Sequence, residues 1–286
     1  MSKMRGKVCI VTGSNSGMGK ETSLALAKMS ATVVMVVRNR ERGEKAQAKI
    51  VNETGNHDTH LMICDLSSMT SVRDFAKQFK GQYERLDVLV NNAGVVLGSR
   101  QTTVDGFERT LSVNYLAPFL LTYELLPLLK SSVPSRVINI GSTTERSGKI
   151  DFDDLQSEKH YNGLDAYANS KLMLTMYTYE LARRLEGIGV TVNVVEPGFV
   201  ATTLAKNSGS LLYYLGFSVA RPFQISAKKG AETAVYLASS DEVAGVAGKC
   251  LSKLREIRTA RASYDREMQR RLWDTTMKLL GLPATR

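Results

Sequence analysis

The chain has 286 residues, 43% of them hydrophobic, and its 38 lysines and arginines against 28 acidic residues give a formal net charge of +10. This apolar content is enough for a folded core and excludes an intrinsically disordered chain. Because basic residues alternate with acidic ones, as in RNRERGEK, they are typical of solvated helix faces, and we expect no nucleic-acid partner.

From the sequence we expect neither a leader nor a membrane span. The first predicted strand begins near Lys7, so we expect no signal peptide. No apolar run approaches the ~20 residues that a transmembrane helix requires. Residues 211–220 are too short a run to span a bilayer but long enough to touch its surface. We therefore expect a cytoplasmic protein, with peripheral membrane contact through this run left open.

Cysteine and histidine are sparse and scattered. The cysteines lie far apart in apolar runs without C-x-x-C spacing, at Cys9, Cys64 and Cys250. They are predicted to be buried free thiols in a reducing compartment. Two histidines share a polar loop and the third stands alone, at His57, His60 and His160. We expect no metal site.

Six short apolar runs alternate with longer segments of helical character. The runs are residues 7–12, 32–37, 60–64, 86–90, 136–140 and 190–195. They are apolar nearly throughout, as strands covered on both faces are. The repeated alternation predicts a Rossmann-type, doubly wound parallel sheet with helices on both faces, a three-layer α/β/α fold.

The remainder of the chain is predicted to complete one domain of residues 1–286, because it shows neither a repeat nor a linker. Residues from about 201 to 225 are apolar without a clear period and are predicted to form a substrate lid. Their Leu, Tyr and Phe content suits one wall of an apolar pocket, and ordinary packing or a dimer face would explain it equally well. A helix over 225–240, a strand near 247–252 and a charged helical tail at about 255–286 follow.

The segment VCIVTGSNSGMGKET places three glycines where the first strand passes into a helix, at Gly13, Gly17 and Gly19. Glycine permits positive φ and close approach to the main chain. Bare amides at a helix N-terminus attract anions, and a tight turn alone would need only one glycine. The turn therefore predicts a nucleotide phosphate site. The ending Gly19-Lys20-Glu21 excludes a P-loop.

The residues after the second strand indicate which dinucleotide binds. A carboxylate there would accept hydrogen bonds from the ribose hydroxyls of NAD, whereas a basic residue suits the 2′-phosphate of NADP. This strand is followed by Arg38 and Arg40, with no acid before Glu41. A guanidinium makes forked contacts to phosphate, so the pattern favours NADP. The alternative is that these arginines are ordinary surface charges.

Small and polar residues follow the other predicted strands as well. They are Cys64-Asp65-Leu66, Asn91-Asn92-Ala93-Gly94, Gly141-Ser142-Thr143 and Glu196-Pro197-Gly198. In open α/β sheets, ligands bind in the crevice at the carboxyl ends of the strands. These residues are therefore predicted to line one crevice.

Tyr167 and Lys171 are four residues apart on a strongly helical segment and so share a face. A phenol has a pKa near ~10, too high for proton transfer at neutral pH. A neighbouring ammonium favours the phenolate and is expected to lower that pKa, which would make Tyr167 a general acid and base. In a chain with 11 tyrosines, a Tyr-x-x-x-Lys pair is also expected by chance. The catalytic interpretation therefore depends on the position of this pair, after the strand that ends at Ser142.

Together these motifs resemble the classical short-chain dehydrogenases/reductases over essentially the whole chain. The resemblance rests on Thr12-Gly13-x-x-x-Gly17-x-Gly19, Asn91-Asn92-Ala93-Gly94, Asn114, Ser142, Tyr167-x-x-x-Lys171 and Pro197-Gly198. The segments GSNSGMGKET, DGFERTLSVNYL, GKIDFDDLQSEKHYN and ELARRLEGIGVTVN are similar to the retinol dehydrogenase-like branch. Members of that branch tend to use NADP and lipophilic alcohols or carbonyls.

The resemblance implies a role for each of four catalytic residues. Tyr167 would exchange a proton with the carbonyl or alcohol oxygen, and Ser142 would orient that oxygen. Lys171 would hold the nicotinamide ribose and lower the pKa of Tyr167. Asn114 would support a water relay to solvent.

The resemblance also implies the residues that bind the cofactor, which come from six places in the chain. They are Gly13, Ser14, Asn15, Ser16, Gly17, Met18 and Gly19 in the glycine turn; Arg38 and Asn39; Asp65 and Leu66 beside adenine; Asn92, Ala93 and Gly94; Tyr167 and Lys171; and Pro197, Gly198, Val200 and Thr202 on the carboxamide side.

The sequence predicts an NADP-dependent oxidoreductase, a retinol dehydrogenase-like enzyme or carbonyl reductase, that acts on a small lipophilic alcohol or carbonyl. One alternative is a relative of protochlorophyllide reductase. Another is a catalytically silent dinucleotide-binding sensor or scaffold, although such proteins typically lose Tyr167 or Lys171, which this chain keeps. The family often dimerises through the helix that carries the tyrosine, which makes a homodimer an expectation of the resemblance.

Overall fold

The computed structural model describes residues 3–200 and 224–283. An eight-stranded sheet forms its centre, in the order β3-β2-β1-β4-β5-β6-β7-β8. The strands are β1 (Val8–Thr12), β2 (Thr32–Val37), β3 (Thr59–Ile63), β4 (Val88–Asn91), β5 (Ser135–Ile140), β6 (Val190–Val195), β7 (Cys250–Ser252) and β8 (Arg255–Ile257). All neighbours pair in parallel except β7 and β8, which are antiparallel.

Helices cover both faces of this sheet. They are α1 (Gly17–Lys28), α2 (Arg40–Thr54), α3 (Met69–Gln82), α4 (Arg109–Leu111), α5 (Ala117–Ser131), α6 (Gly163–Arg184), α7 (Ala227–Ser239) and α8 (Arg266–Leu279). One apolar core lies under α1, α2 and α7, and the other under α3, α5 and α6 with α8. The predicted three-layer, doubly wound α/β/α fold is therefore confirmed.

The burial of the strands explains their composition. Every residue of β1 is buried, and so are five of the six in β2, because helices pack on both faces of these strands. The chain order reverses between β1 and β4, which sit side by side although two strands and three helices separate them in sequence. Such a reversal opens a crevice at the carboxyl ends of the strands, where ligands of this architecture bind.

The C-terminal part differs from its prediction. Of the tail predicted to be helical from about residue 255, Arg255–Ile257 form β8, and the long helix α8 begins only at Arg266. No apolar run signals β8, since its residues are mainly charged and exposed. These residues form a strand because they pair with β7, although their local sequence does not favour one.

Helix α8 packs on α5 and on α6, the helix that carries Tyr167 and Lys171. The Trp273 ring lies 4.8 Å from that of Phe119 on α5 and 6.0 Å from that of Tyr177 on α6, and the Arg184 guanidinium stacks on its other side at 4.3 Å. The amphipathic helix thus closes the apolar core outside α5 and α6.

Three further expectations concern single residues or segments. The three cysteines are buried free thiols, as predicted. None of the helices in residues 3–200 and 224–283 is both long and apolar enough to cross a bilayer. The predicted lid at about residues 201–225 lies almost entirely outside the described residues.

Candidate active site

The glycine turn between β1 and α1 is shaped by the need for bare backbone. Gly13 and Gly17 have φ of 68° and 55°, the left-handed region that favours glycine. Gly19 has no room for a side chain, since a Cβ there would lie 2.4 Å from Asn92 Nδ2 and 2.5 Å from the Gly13 carbonyl oxygen. Gly13 and Gly17 are thus required by their left-handed backbone conformation, and Gly19 is required by a close contact.

A brace joins this turn to the end of β4. The Thr12 hydroxyl oxygen accepts hydrogen bonds from the backbone N–H groups of Asn92 and Ala93, at 2.9 and 3.0 Å. The Asn92 amide in turn donates to the Thr12 carbonyl oxygen at 2.8 Å. The brace holds Asn92, Ala93 and Gly94, which were predicted to bind the cofactor, directly against the glycine turn. Sequence reasoning had given Thr12 no such role.

The N-terminus of α1 is open toward the turn. Ser16 occupies the N-cap position, yet its side chain makes no capping hydrogen bond, and the first turn carries no acidic residue. The free N–H groups and the helix dipole therefore favour an anion at this end. With the close approach at Gly19, the geometry fits the pyrophosphate of a dinucleotide.

The residues predicted to meet the adenosine half lie directly after strands β2 and β3. Arg38 follows β2, is exposed, and forms no hydrogen bond or ion pair within the part of the chain that the structure describes. Asn39 caps α2, because its side chain accepts from the Arg42 N–H at 2.9 Å. Asp65 accepts from the backbone and the hydroxyl of Ser67, which fixes its carboxylate after β3.

Lys171 is buried, with 3% of its surface exposed. Its ammonium donates to the Ile140 carbonyl oxygen at the end of β5, 2.7 Å away, and lies 5.6 Å from the centre of the Tyr167 ring. Burial disfavours the charged form and lowers the pKa of Lys171 from 10.5 to about 8.

The pKa of Tyr167 differs from the expectation. Burial raises the pKa of the phenol above its ordinary value, and an interaction with the Ser142 side chain offsets only part of that rise. The prediction that Lys171 lowers this pKa was therefore wrong for the protein as described. Removal of the phenol from water is the largest cause of the shift.

Asn114 lies in a π-helical turn, Ser112–Leu116, between α4 and α5. Its side-chain oxygen accepts from the Val95 N–H at 2.8 Å, and its amide donates to the Val95 carbonyl and the Ser170 hydroxyl at 2.9 and 3.0 Å. A Cβ on Gly94 would lie 3.4 Å from Asn114 Oδ1 and 3.6 Å from Lys171 Nζ. The structure thus brings Asn114 and Lys171 together beside the chain that leaves β4.

The segment after β6 contributes backbone to the same edge. Gly198 has φ of 83°, and Val200 forms an isolated parallel bridge with Ile225. Pro197 lies between Glu196, at the end of β6, and this turn. Thr202, the last predicted cofactor residue, lies outside the described residues.

Comparison with known proteins agrees with this geometry. The family model for short chain dehydrogenases matches residues 7–211. The chain belongs to the short-chain dehydrogenase/reductase family. It is therefore an oxidoreductase of the type whose fold and motifs are described above.

Retinol dehydrogenases are among the curated relatives of this chain. Human retinol dehydrogenase 13 is 42% identical over 284 residues, which cover 98% of this chain and 86% of that protein. Human retinol dehydrogenase 12 is 40% identical over 280 residues, with 98% and 88% covered. This short-chain dehydrogenase/reductase thus belongs to the retinol dehydrogenase-like branch, as its motifs predicted.

Solved structures share the fold. An uncharacterised protein from Mycobacterium paratuberculosis superposes with a TM-score of 0.80 at 29% identity, covering 98% of this chain and 96% of its own. RhlG of Pseudomonas aeruginosa, solved as a complex with NADP at the active site, superposes with a TM-score of 0.70 at 27% identity, covering 88% and 96%. The first supports the fold, and the second also supports a nicotinamide dinucleotide as the type of cofactor that this short-chain dehydrogenase/reductase binds.

Two residues near the catalytic groups of this short-chain dehydrogenase/reductase escaped the sequence reasoning. The Ser170 hydroxyl donates to the Tyr167 carbonyl oxygen at 2.7 Å while it accepts from Asn114, so it ties the tyrosine's own turn of α6 to the π turn. The Thr144 hydroxyl donates to Ser142 Oγ at 3.0 Å. The signal in the sequence was that Ser170 directly precedes Lys171 and that Thr144 follows Ser142 by two residues. Serine and threonine are too common for such proximity to indicate a role.

Proposed function

We propose that this protein is an NADP-dependent alcohol dehydrogenase or carbonyl reductase that acts on small lipophilic substrates. One arrangement carries the proposal: the Lys171 ammonium lies 5.6 Å from the centre of the Tyr167 ring, and Gly94, which follows β4 beside the glycine turn, packs against Lys171 and Asn114. The Ser142 side chain also lowers the pKa of Tyr167. A proton-transfer group beside a dinucleotide site is what hydride transfer to a carbonyl requires.

The described residues fit the cofactor at both of its ends. The open N-terminus of α1 and the cradle at Gly13 and Gly19 would hold the pyrophosphate. Arg38 would pair with the 2′-phosphate, and Lys171 would donate to the nicotinamide ribose. When bound, NADP supplies or accepts the hydride.

The protein's own residues would manage the proton and the orientation of the substrate. Ser142 would donate a hydrogen bond to the substrate oxygen and hold it next to Tyr167. The Tyr167 phenol would give its proton to that oxygen in reduction and take it back in oxidation. The charge of Lys171 would stabilise the phenolate in a site largely closed to water. Asn114 would keep the exit from β4 in position, and we retain a water relay to solvent as its proposed second role.

The preference for NADP rests on Arg38. Its guanidinium is exposed at the end of β2 and is not engaged by any described carboxylate, so it is available for a phosphate. The nearest acids, Glu41 and Glu44, pair with Lys45 and Arg40 instead. A carboxylate that could accept from ribose hydroxyls is absent from residues 38–40.

The lipophilic substrate rests on two observations. The sequence of residues 201–225 is rich in Leu, Tyr and Phe, which suits the wall of an apolar pocket. Relatives at 42% and 40% identity carry the name retinol dehydrogenase. Contact of this segment with a membrane surface and a cytoplasmic location stay parts of the proposal.

A homodimer also stays a proposal, and the structure restricts its geometry. Helix α8 occupies the outer side of α5 and α6 around Phe119, Tyr177 and Trp273. A partner that docks directly on α6 would therefore have to contact the surface of α6 that α8 does not cover.

The test is oxidation of NADPH and of NADH, followed by absorbance, with medium- and long-chain aldehydes, ketones and retinal. We expect turnover with NADPH that Tyr167→Phe abolishes. Tyr123→Phe is the matched control and should keep full activity, because the Tyr123 hydroxyl makes no hydrogen bond within the described residues. Tight NADPH binding without turnover on any substrate would favour the silent sensor, and a preference for NADH would overturn the assignment of Arg38.

A further inference from the structure

The hydroxyl of Ser142 accepts two hydrogen bonds from the same residue, Thr144. Ser142 is followed by a 3-10 turn, Thr143–Ser147, and its Oγ accepts hydrogen bonds from both the backbone N–H and the hydroxyl of Thr144, at 3.3 and 3.0 Å. A serine hydroxyl has one proton and two acceptor sites. Because Thr144 takes up the acceptor side, the proton of Ser142 is left for another acceptor, and the Ser142 side chain lowers the pKa of Tyr167, as a donor to that phenol does.

The turn is anchored by charged groups, of which Glu145 and Glu196 are buried and Arg146 is exposed. Glu145 is 1% exposed, and its Oε1 accepts from the Ala260 N–H at 2.8 Å. Arg146 donates to both carboxylate oxygens of the buried Glu196, at 2.8 and 3.0 Å, and to the Arg258 carbonyl oxygen at 2.8 Å. The turn is therefore tied to the end of β6 and to a segment beyond residue 211, where the family match ends.

The far end of the turn is pressed against α6, the helix that carries Tyr167. A Cβ on Gly148 would lie 2.7 Å from the Ala168 carbonyl oxygen and 2.9 Å from Leu172 Cβ. The next residue, Lys149, donates its N–H to Asn169 Oδ1 at 2.7 Å. Because the turn is fixed at both ends, Thr144 is held where its N–H and hydroxyl both donate to Ser142 Oγ.

We propose that Thr144 is a positioning residue, which holds Ser142 Oγ so that the Ser142 proton is donated toward Tyr167 and the substrate oxygen. Glu145 and Arg146 keep the turn in the place from which Thr144 does this. The catalytic consequence rests on the proposed function, whereas the orientation of Ser142 does not. Thr144 acts through Ser142, because its hydroxyl proton is already donated there.

Two substitutions separate the hydroxyl from the shape of the side chain. Thr144→Val keeps the branched shape and the backbone N–H but removes the hydroxyl, and Thr144→Ser keeps the hydroxyl. The first readout is the crystal structure of each variant without substrate. We expect Ser142 Oγ to face Tyr167 in the wild type and in Thr144→Ser, and to occupy a different or mixed rotamer in Thr144→Val. An unchanged Ser142 rotamer in Thr144→Val would overturn the proposal.

The second readout is steady-state kinetics with the best substrate and NADPH. Loss of one neutral hydrogen bond predicts a kcat about fivefold lower in Thr144→Val, with KM within about twofold and Thr144→Ser close to wild type. In a Ser142→Ala background, Thr144→Val should have no further effect, because the group that it orients is gone. A rise in KM alone, or effects that multiply in the double variant, would show that Thr144 contacts the substrate directly and would refute the positioning role.

The proposed function and the positioning role of Thr144 can be refuted independently. A wild-type protein without turnover on any substrate would contradict the proposed function, while the rotamer of Ser142 would still decide the role of Thr144. Conversely, turnover that is insensitive to Thr144→Val would refute the positioning role and leave the oxidoreductase assignment in place.

Discussion

The Lys171 ammonium donates to the carbonyl oxygen of Ile140, 2.7 Å away, at the point where β5 ends and the chain turns toward Ser142. This contact links α6, the helix of the proposed catalytic tyrosine, to β5, the strand that precedes Ser142. It also leaves a buried amine with a pKa of about 8, since one carbonyl does not replace the water that burial removes. The buried ammonium of Lys171 thus costs folding free energy, but it lies beside Tyr167, the group proposed to transfer a proton.

That cost should be visible in stability. Between pH 8 and 10.5 the folded protein has released the Lys171 proton while the unfolded chain still binds it. The unfolded state then holds more protons, so the free energy of unfolding of the wild type should rise with pH relative to Lys171→Met. The rise should total at most about 3 kcal/mol and be absent below pH 8. Urea unfolding of both proteins from pH 6 to 10.5 measures it.

The exposed Lys130 gives the matched control, because Lys130→Met removes no burial cost. A difference between wild type and Lys171→Met that does not change with pH would contradict the lowered pKa. Lys171→Met should also lose turnover at every pH, since the charge beside Tyr167 is removed.

Gly19→Ala should damage the cofactor cradle. The added Cβ would meet Asn92 Nδ2 at 2.4 Å and the Gly13 carbonyl at 2.5 Å, and at least the latter, a backbone group, cannot move cheaply. We expect a loss of about 1–3 kcal/mol of stability and much weaker NADPH binding. Gly81→Ala, in helix α3 with open space around the new methyl, should instead stabilise by about 0.5–1 kcal/mol. Equal NADPH affinity for Gly19→Ala and wild type would argue against the cradle.

Arg38→Ala should discriminate between the two cofactors. A charge-assisted contact to phosphate is lost for NADPH and has no counterpart for NADH. The Kd for NADPH should therefore rise about ten- to a hundredfold, while that for NADH stays within about twofold. Calorimetric titration measures both, with Arg42→Ala, also exposed, as the control. Similar weakening for NADH and NADPH would mean that Arg38 does not read the 2′-phosphate.

Trp273→Ala tests the contribution of α8. The indole is 5% exposed between Phe119 and Tyr177, so its removal should cost about 3–5 kcal/mol of unfolding free energy. Asp274→Ala, one residue along on the exposed side of the helix, should change it by less than about 0.5 kcal/mol. Denaturant unfolding distinguishes the two, and a small effect of Trp273→Ala would show that α8 contributes little to the core over α5 and α6.

The sequence carried the parts of the site whose requirements are local. The strands β1, β2 and β6 were predicted with bounds within one residue because a strand buried on both faces must be apolar throughout. The glycine turn was predicted because positive φ and close approach at Gly13, Gly17 and Gly19 exclude most other residues. The four-residue spacing of Tyr167 and Lys171 likewise sets their common face on α6.

Contacts between distant parts of the chain were not predictable in this way. The brace between Thr12 and Asn92 and the anchor between Glu145 and Ala260 join residues 80 and 115 positions apart. Strand β8 is mainly charged and becomes a strand only because β7 offers an open edge. Which of these partners meet depends on the order of the strands in the sheet, and no local pattern encodes that order.

The pKa of Tyr167 shows the same division. The sequence by itself determined that a phenol and an ammonium share one face of a helix, since the helical period places residues four apart together. Only the tertiary structure decided the direction of the Tyr167 pKa, because burial under the surrounding elements raises it. Spacing along the chain determines which groups are neighbours, whereas exclusion of water depends on the elements that the whole chain packs around them.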